Sequence, residues 1–133
     1  MKLAALAVLV GCSTPAAPVP ATAPLAAKSY FRVDAARPLP LACQVGAACE
    51  LELVITALDG FHVNAEYPTK FVREGATSRF TAHGEARGTL TVTVTPAAGT
   101  DKVVGVVKLS VCSGERCEIE APEVTIPLAA SNG

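Results

Sequence analysis

Glu50-Leu51-Glu52-Leu53-Val54-Ile55-Thr56-Ala57-Leu58 is the run that decides the fold. Leu51, Leu53 and Ile55 fall on one face, with Glu50, Glu52 and Thr56 mostly on the other. A period of two is the signature of a strand with one buried face. Asp59-Gly60 then supplies a turn pair. Phe61-His62-Val63-Asn64-Ala65-Glu66 resumes as a second strand, ending at Tyr67-Pro68, an X–Pro bond open to the cis form.

Upstream, Ser29 to Ala35 reads as a first strand, broken by Arg37-Pro38-Leu39-Pro40. Downstream, Thr69 to Arg73 is short and extended. Thr77 to His83 alternates Ser78, Phe80 and Ala82 against Arg79 and Thr81. Gly88 to Pro96 is a strand with Leu90, Val92 and Val94 inward. Ala97 to Asp101 turns the chain. Val103–Val111 and Cys117–Leu128 form a last hairpin, with Pro122 at an edge or bulge. Seven to nine short strands, regular turn signals and no amphipathic helix predict an all-β, immunoglobulin-like β-sandwich.

The last hairpin contains the likeliest chemistry. Cys112 and Cys117 enclose Ser-Gly-Glu-Arg, and four residues around a glycine between strand-like runs read as a hairpin loop. The two thiols then sit at facing strand ends, close enough to bridge. Such a bridge is either a structural staple or, if exposed, a reducible pair. Direct opposition of the cysteines has an awkward corollary: Leu109 then faces Glu120 and Val111 faces Glu118. A one-residue bulge or a slipped register is expected to relieve it. Arg116 in the loop would lower a neighbouring thiol's pKa and Glu115 would raise it.

The chain starts Met1-Lys2, followed by the apolar run Leu3 to Val10 and then Gly11-Cys12. This reads as a short export signal whose end resembles a bacterial lipobox. Residues 1–11 are therefore expected to be signal peptide, and Cys12 to be lipidated, holding the protein at a membrane surface. From Cys12 to Ala27 the chain has four prolines and no charge. Residues 12–28 read as a Pro/Ala-rich tether, and residues 29–131 as one small domain. The expected setting is the bacterial cell envelope, facing the periplasm. Ser13 after the lipidated cysteine points to the outer membrane by the enterobacterial sorting rule.

Apart from Cys12 there are four cysteines: Cys43, Cys49, Cys112 and Cys117. An even count in an exported domain implies disulfides. Each neighbouring pair flanks a short turn-like segment, which favours Cys43–Cys49 and Cys112–Cys117 over crossed pairings, with Cys43–Cys49 purely structural. The 133 residues carry a formal net charge of −1, which excludes nucleic acid as an expected partner. Tryptophan is absent, which argues against a large aromatic ligand cage. His62 and His83 are the only histidines, and neither has metal-ligand spacing to a cysteine. No cofactor and no metal are expected.

Three segments, in order, resemble the N-terminal periplasmic domain of the thiol:disulfide interchange protein DsbD family. They are Leu51 to Asn64, Thr89 to Val94, and Val107 to Leu128 with its two cysteines and closing Val-Thr-Ile-Pro-Leu strand. The resemblance implies an immunoglobulin-like fold with Cys112 and Cys117 as a redox pair carrying electrons between a membrane transporter and periplasmic clients, and a thioredoxin-like or other periplasmic protein is the expected partner. This chain departs from the pattern in placing Glu118 directly after Cys117 and in having no aromatic in Val72 to Thr77, where the family's cap loop lies. Two functions follow as expectations: a lipid-anchored thiol–disulfide exchange module using Cys112 and Cys117, or a non-catalytic binding or scaffold domain whose disulfides only stabilise it.

Overall fold

A computed structural model describes Gly11 and residues 23–132. Cys12 and the signal peptide lie outside the described residues apart from Gly11. Eleven strands follow in order: β1 (Ala26–Lys28), β2 (Phe31–Ala35), β3 (Leu41–Gln44), β4 (Cys49–Ala57), β5 (His62–Val63), β6 (Lys70–Val72), β7 (Thr77–Ala82), β8 (Arg87–Val94), β9 (Lys102–Cys112), β10 (Cys117–Glu120) and β11 (Glu123–Ser131). β1 brings into the fold three residues that composition assigns to the tether, by pairing with β2.

The strands form two sheets. The first runs β1-β2-β4-β8-β7. The second runs β10-β9-β11-β3, with β5 and β6 paired to the other edge of β9. β2, β4, β8 and β7 thus take the A-B-E-D order of an immunoglobulin-like sandwich, while β6, β9 and β11 take the C-F-G order. The chain changes sheet between β2 and β3, where β3 joins β11 in parallel. Among the described residues a cis bond lies in that crossing, at Leu39–Pro40, and not at Tyr67–Pro68.

The alternation in β4 does what its period dictates. Leu51, Leu53 and Ile55 are buried, and they lie opposite Val92, Leu90 and Gly88 of β8. The second sheet answers with Val103, Val107, Leu109 and Val111 of β9, and Val124, Ile126 and Leu128 of β11. Burying each such side chain contributes roughly 1.5–3 kcal/mol, and these facing rows are the core that makes two sheets into one body. Gly105 interrupts the inward row of β9 for a steric reason. A Cβ there would lie 2.2 Å from Phe71 Cζ, so the ring occupies the space that a side chain would need.

Two expectations change. The strand expected over Phe61 to Glu66 is only His62–Val63. Asn64 Oδ1 accepts the Glu66 N–H at 3.2 Å and the Asn64 carbonyl accepts the Tyr67 N–H at 3.3 Å, so the asparagine turns the backbone out of the ladder. The expected bulge in the last hairpin is also absent. Cys117 pairs Cys112, Glu120 pairs Leu109 and Glu123 pairs Val106, so one register runs through β10 and β11. Pro122 has no N–H to give and breaks the ladder without shifting it, its carbonyl still accepting from Val107 N at 2.9 Å.

Candidate functional site

The β9–β10 hairpin projects from one end of the sandwich. Its loop is closed by Ser113 N donating to the Arg116 carbonyl at 2.7 Å. The Ser113 hydroxyl accepts from Glu115 N at 3.2 Å and Arg116 N at 3.3 Å, the local pairing that makes serine a turn residue. This clamps Cys112 and Cys117 as directly opposed residues with Cα atoms 4.0 Å apart, and they are disulfide-bonded. Direct opposition across a narrow pair of an antiparallel ladder puts side chains at their closest.

The two sulfurs differ in surroundings. Cys112 is 7% exposed, whereas Cys117 is exposed. Both point to the outer face of the second sheet, because Val111 and Leu109 take the inner face. Ile119 follows Cys117 on that outer face and is 67% exposed. Its partner Ser110 is buried, covered from β5's side by Asn64, whose Nδ2 donates to Ser110 Oγ at 3.5 Å. An exposed cysteine and an exposed isoleucine therefore lie two residues apart on the outer face of this sheet.

On the hairpin's other face the acidic residues find partners. Glu118 accepts from Arg116 Nε at 2.7 Å, and the guanidinium lies 5.4 Å from the centre of the Phe61 ring. Phe61 in turn stacks at 5.1 Å on Tyr30, from the β1–β2 turn. Glu120 accepts from the Tyr30 hydroxyl and, at 2.9 Å, from Lys28 Nζ. The Tyr30 hydrogen bond, followed by that of Lys28, holds the Glu120 carboxyl below the usual range despite its partial burial. The same contact raises the pKa of Tyr30 and of Lys28. Electrostatics and aromatic stacking thus fasten the hairpin to the first sheet. Periodicity marked Glu118 and Glu120 as misfits but could not find Tyr30 and Lys28, about ninety positions away.

The second bridge is built differently. Cys43 on β3 and Cys49 on β4 are bonded across a turn, with Cα atoms 5.7 Å apart. β3 belongs to one sheet and β4 to the other, so this bridge ties the sheets together. Cys43 is buried and Cys49 partly so. A cleft of about 300 Å³ opens beside it, lined by Arg37, Gln44, Glu50 and Glu52. It lies at the opposite end of the molecule from Cys112, about 30 Å away along β9.

Among the described residues no three His, Cys, Asp or Glu side chains are grouped to hold an ion. His83 lies at the β7–β8 turn, its backbone N–H donating to the Arg87 carbonyl. His62 is exposed on β5, and β5 places it opposite Cys112. Among the described residues no helix is long and apolar enough to cross a membrane.

No family model matches this chain, and no curated protein matches it. Among solved structures, a cohesin module from a family 33 glycoside hydrolase of Clostridium perfringens aligns with 78% of this chain and 100% of its own. The identity is 14% and the TM-score 0.37, a likeness that carries no argument about function.

Proposed function

We propose that this domain is a tethered thiol–disulfide exchange module, in which the Cys112–Cys117 bridge passes electrons to or from a thioredoxin-like protein of the bacterial periplasm. The observation that carries the reading is the unequal exposure of the two cysteines. Exchange requires a thiolate to reach one sulfur in line with the bond. Cys117 offers that access and Cys112 does not, so attack has one address. The resemblance of the hairpin to the DsbD N-terminal domain supports the same role. The Cys43–Cys49 bridge, between two sheets and partly buried, is the structural one.

The order of reduction tests this. Under graded dithiol reductant, Cys112–Cys117 opens well before Cys43–Cys49. A hairpin pair that stays oxidised below about −300 mV, the range of structural disulfides, would make both bridges staples and leave a non-catalytic binding or scaffold domain. Cys12 supplies the location in this proposal: its lipid holds the domain at the membrane, facing the periplasm. Cys12→Ala then moves the protein from the membrane fraction to the soluble one, and unchanged retention would remove lipidation as the anchor.

A further inference from the structure

We infer that His62 is the proton donor and acceptor for the Cys112 thiol, an assignment that rests on the exchange reading above. The argument begins with register. β9 lies between β10 and β5, and Cys112 is directly opposite Cys117 on one side and His62 on the other. Residues directly opposite in a ladder share a face. Val63 is buried and pairs with inward Val111, so His62 points outward, as Cys112 and Cys117 do. Imidazole, inner sulfur and outer sulfur therefore form one row across three strands.

The spacing suits the chemistry. Asn64 N donates to the Ser110 carbonyl at 2.9 Å, which marks the Asn64–Ser110 pair as hydrogen-bonded. Two residues on, His62–Cys112 is of the same kind, with Cα atoms about 5.5 Å apart. A gap of that size is within the length of a histidine side chain. The two neighbours of Cys112 divide the work: Cys117 presents the sulfur to be attacked, and His62 lies across the ladder from the residue whose sulfur leaves.

In the forward step, a thiolate of a dithiol protein attacks Cys117 Sγ. The bond between Cys117 and Cys112 breaks, and its electron pair remains on Cys112 Sγ. The imidazolium of His62 gives that sulfur a proton, leaving a Cys112 thiol, a neutral imidazole and a mixed disulfide on Cys117. The partner's second thiolate then attacks the partner's own sulfur and expels Cys117 as a thiolate. The partner is oxidised to its disulfide and the hairpin pair is reduced. In reverse, neutral His62 takes the Cys112 proton before the thiolate attacks. A thiolate that is easier to form is also a better leaving group.

Charged groups also stand on the elements that flank this row, Lys70 of β6, the partner of Lys108, among them. Glu115 comes from the hairpin loop and Glu66 from the segment after β5. Glu85 accepts from Val63 through its backbone, and Lys108 lies further along the outer face of β9. Arg116 and Glu118 pair with one another on the opposite face.

The test reads the Cys112 thiol in the full-length lipoprotein, with Cys117→Ala so that Cys112 is unbonded and Cys43–Cys49 stays closed. Thiolate ultraviolet absorbance and the rate of iodoacetamide alkylation are followed against pH. His62→Gln is expected to raise the thiol's midpoint by about one unit, which is tenfold less thiolate at neutral pH. His62→Lys, which restores a cation, is expected to bring the midpoint back. Superimposable profiles for all three proteins would overturn the assignment, since a merely structural histidine leaves the thiol titration unmoved. Failure of the exchange reading looks different: the wild-type bridge would resist dithiol reductant while His62→Gln still shifted the Cys112 profile.

Discussion

Glu120 of β10 lies directly opposite Leu109 of β9, so a carboxylate and a fully buried leucine share one face of the second sheet. β10 is an edge strand, and the face it turns inward extends past the apolar core to the β1–β2 turn. There Tyr30 and Lys28 meet the carboxylate. The side chain of Glu120 is 14% exposed and that of Lys28 56%, so the carboxylate is the half-buried member and the lysine the solvated one.

A pH dependence follows, with its sign set by the three shifts. Glu120 has its pKa lowered on folding, so its contribution is present above the ordinary carboxylate value of 4.5 and is lost as pH falls through the lower folded value. Tyr30 and Lys28 have theirs raised, so their contributions are present below 10.0 and 10.5 and are lost as pH rises through the higher folded values. The attachment of the hairpin is therefore strongest between these limits. Glu120→Gln should lower the thermal midpoint at pH 7 and flatten its fall toward acid pH. A variant whose acid limb matched the wild type would assign that limb to other carboxylates.

Gly105→Ala should be costly for a residue that changes so little. The added methyl meets the Phe71 ring, so the ring or strand must move, at about 1–3 kcal/mol for overpacking. Chemical denaturation measures it. Phe71→Leu in the same chain should recover part of the loss, and a double variant no better than the sum of the two singles would reject the steric account.

The unequal sulfurs give an asymmetric trap. Cys112→Ala leaves Cys117 as an exposed thiol that should accumulate a mixed disulfide with a dithiol protein under mild oxidation. Cys117→Ala leaves only the shielded Cys112 and should accumulate far less. Non-reducing electrophoresis of the two variants decides it, and equal yields would show that the exposure difference does not govern access.

Removing the other bridge should act on stability alone. Replacing Cys43 and Cys49 together by alanine should cost roughly 2–5 kcal/mol, the usual loss for a native bridge in a small exported domain. The reduction rate of Cys112–Cys117 should stay unchanged at temperatures where the variant is folded. A slowed hairpin reaction in that folded variant would mean the two ends of the sandwich communicate.

Much of the fold is legible because burial writes itself into period-two patterns. β4 and β8 show this best, since Leu51, Leu53, Leu90 and Val92 are inward in sequence and in space. The turn at Asp59-Gly60 was legible for a backbone reason: both residues have positive φ, 53° and 79°, which Asp and Gly accept most readily. The segment after Val63 was not legible, because the Asn64 side chain competes with the ladder and pattern alone does not weigh that competition. Nor was the row of His62, Cys112 and Cys117. Two of its members are adjacent only because β5 pairs with the far edge of β9, a contact fifty residues apart in sequence. Composition likewise missed β1, since Ala26 and Ala27 belong to the sheet through backbone pairing with Arg32 and Val33 rather than through their side chains.

The Cys43–Cys49 bridge crosses from one sheet to the other, while the hairpin bridge stays within one strand pair. Opening the hairpin bridge frees a loop of only four residues at a sheet edge, whereas opening the other would let the two layers part. Under the proposed exchange role, such an arrangement lets the protein cycle between oxidation states many times on a single folded scaffold, so that its electron count and its shape become independent variables.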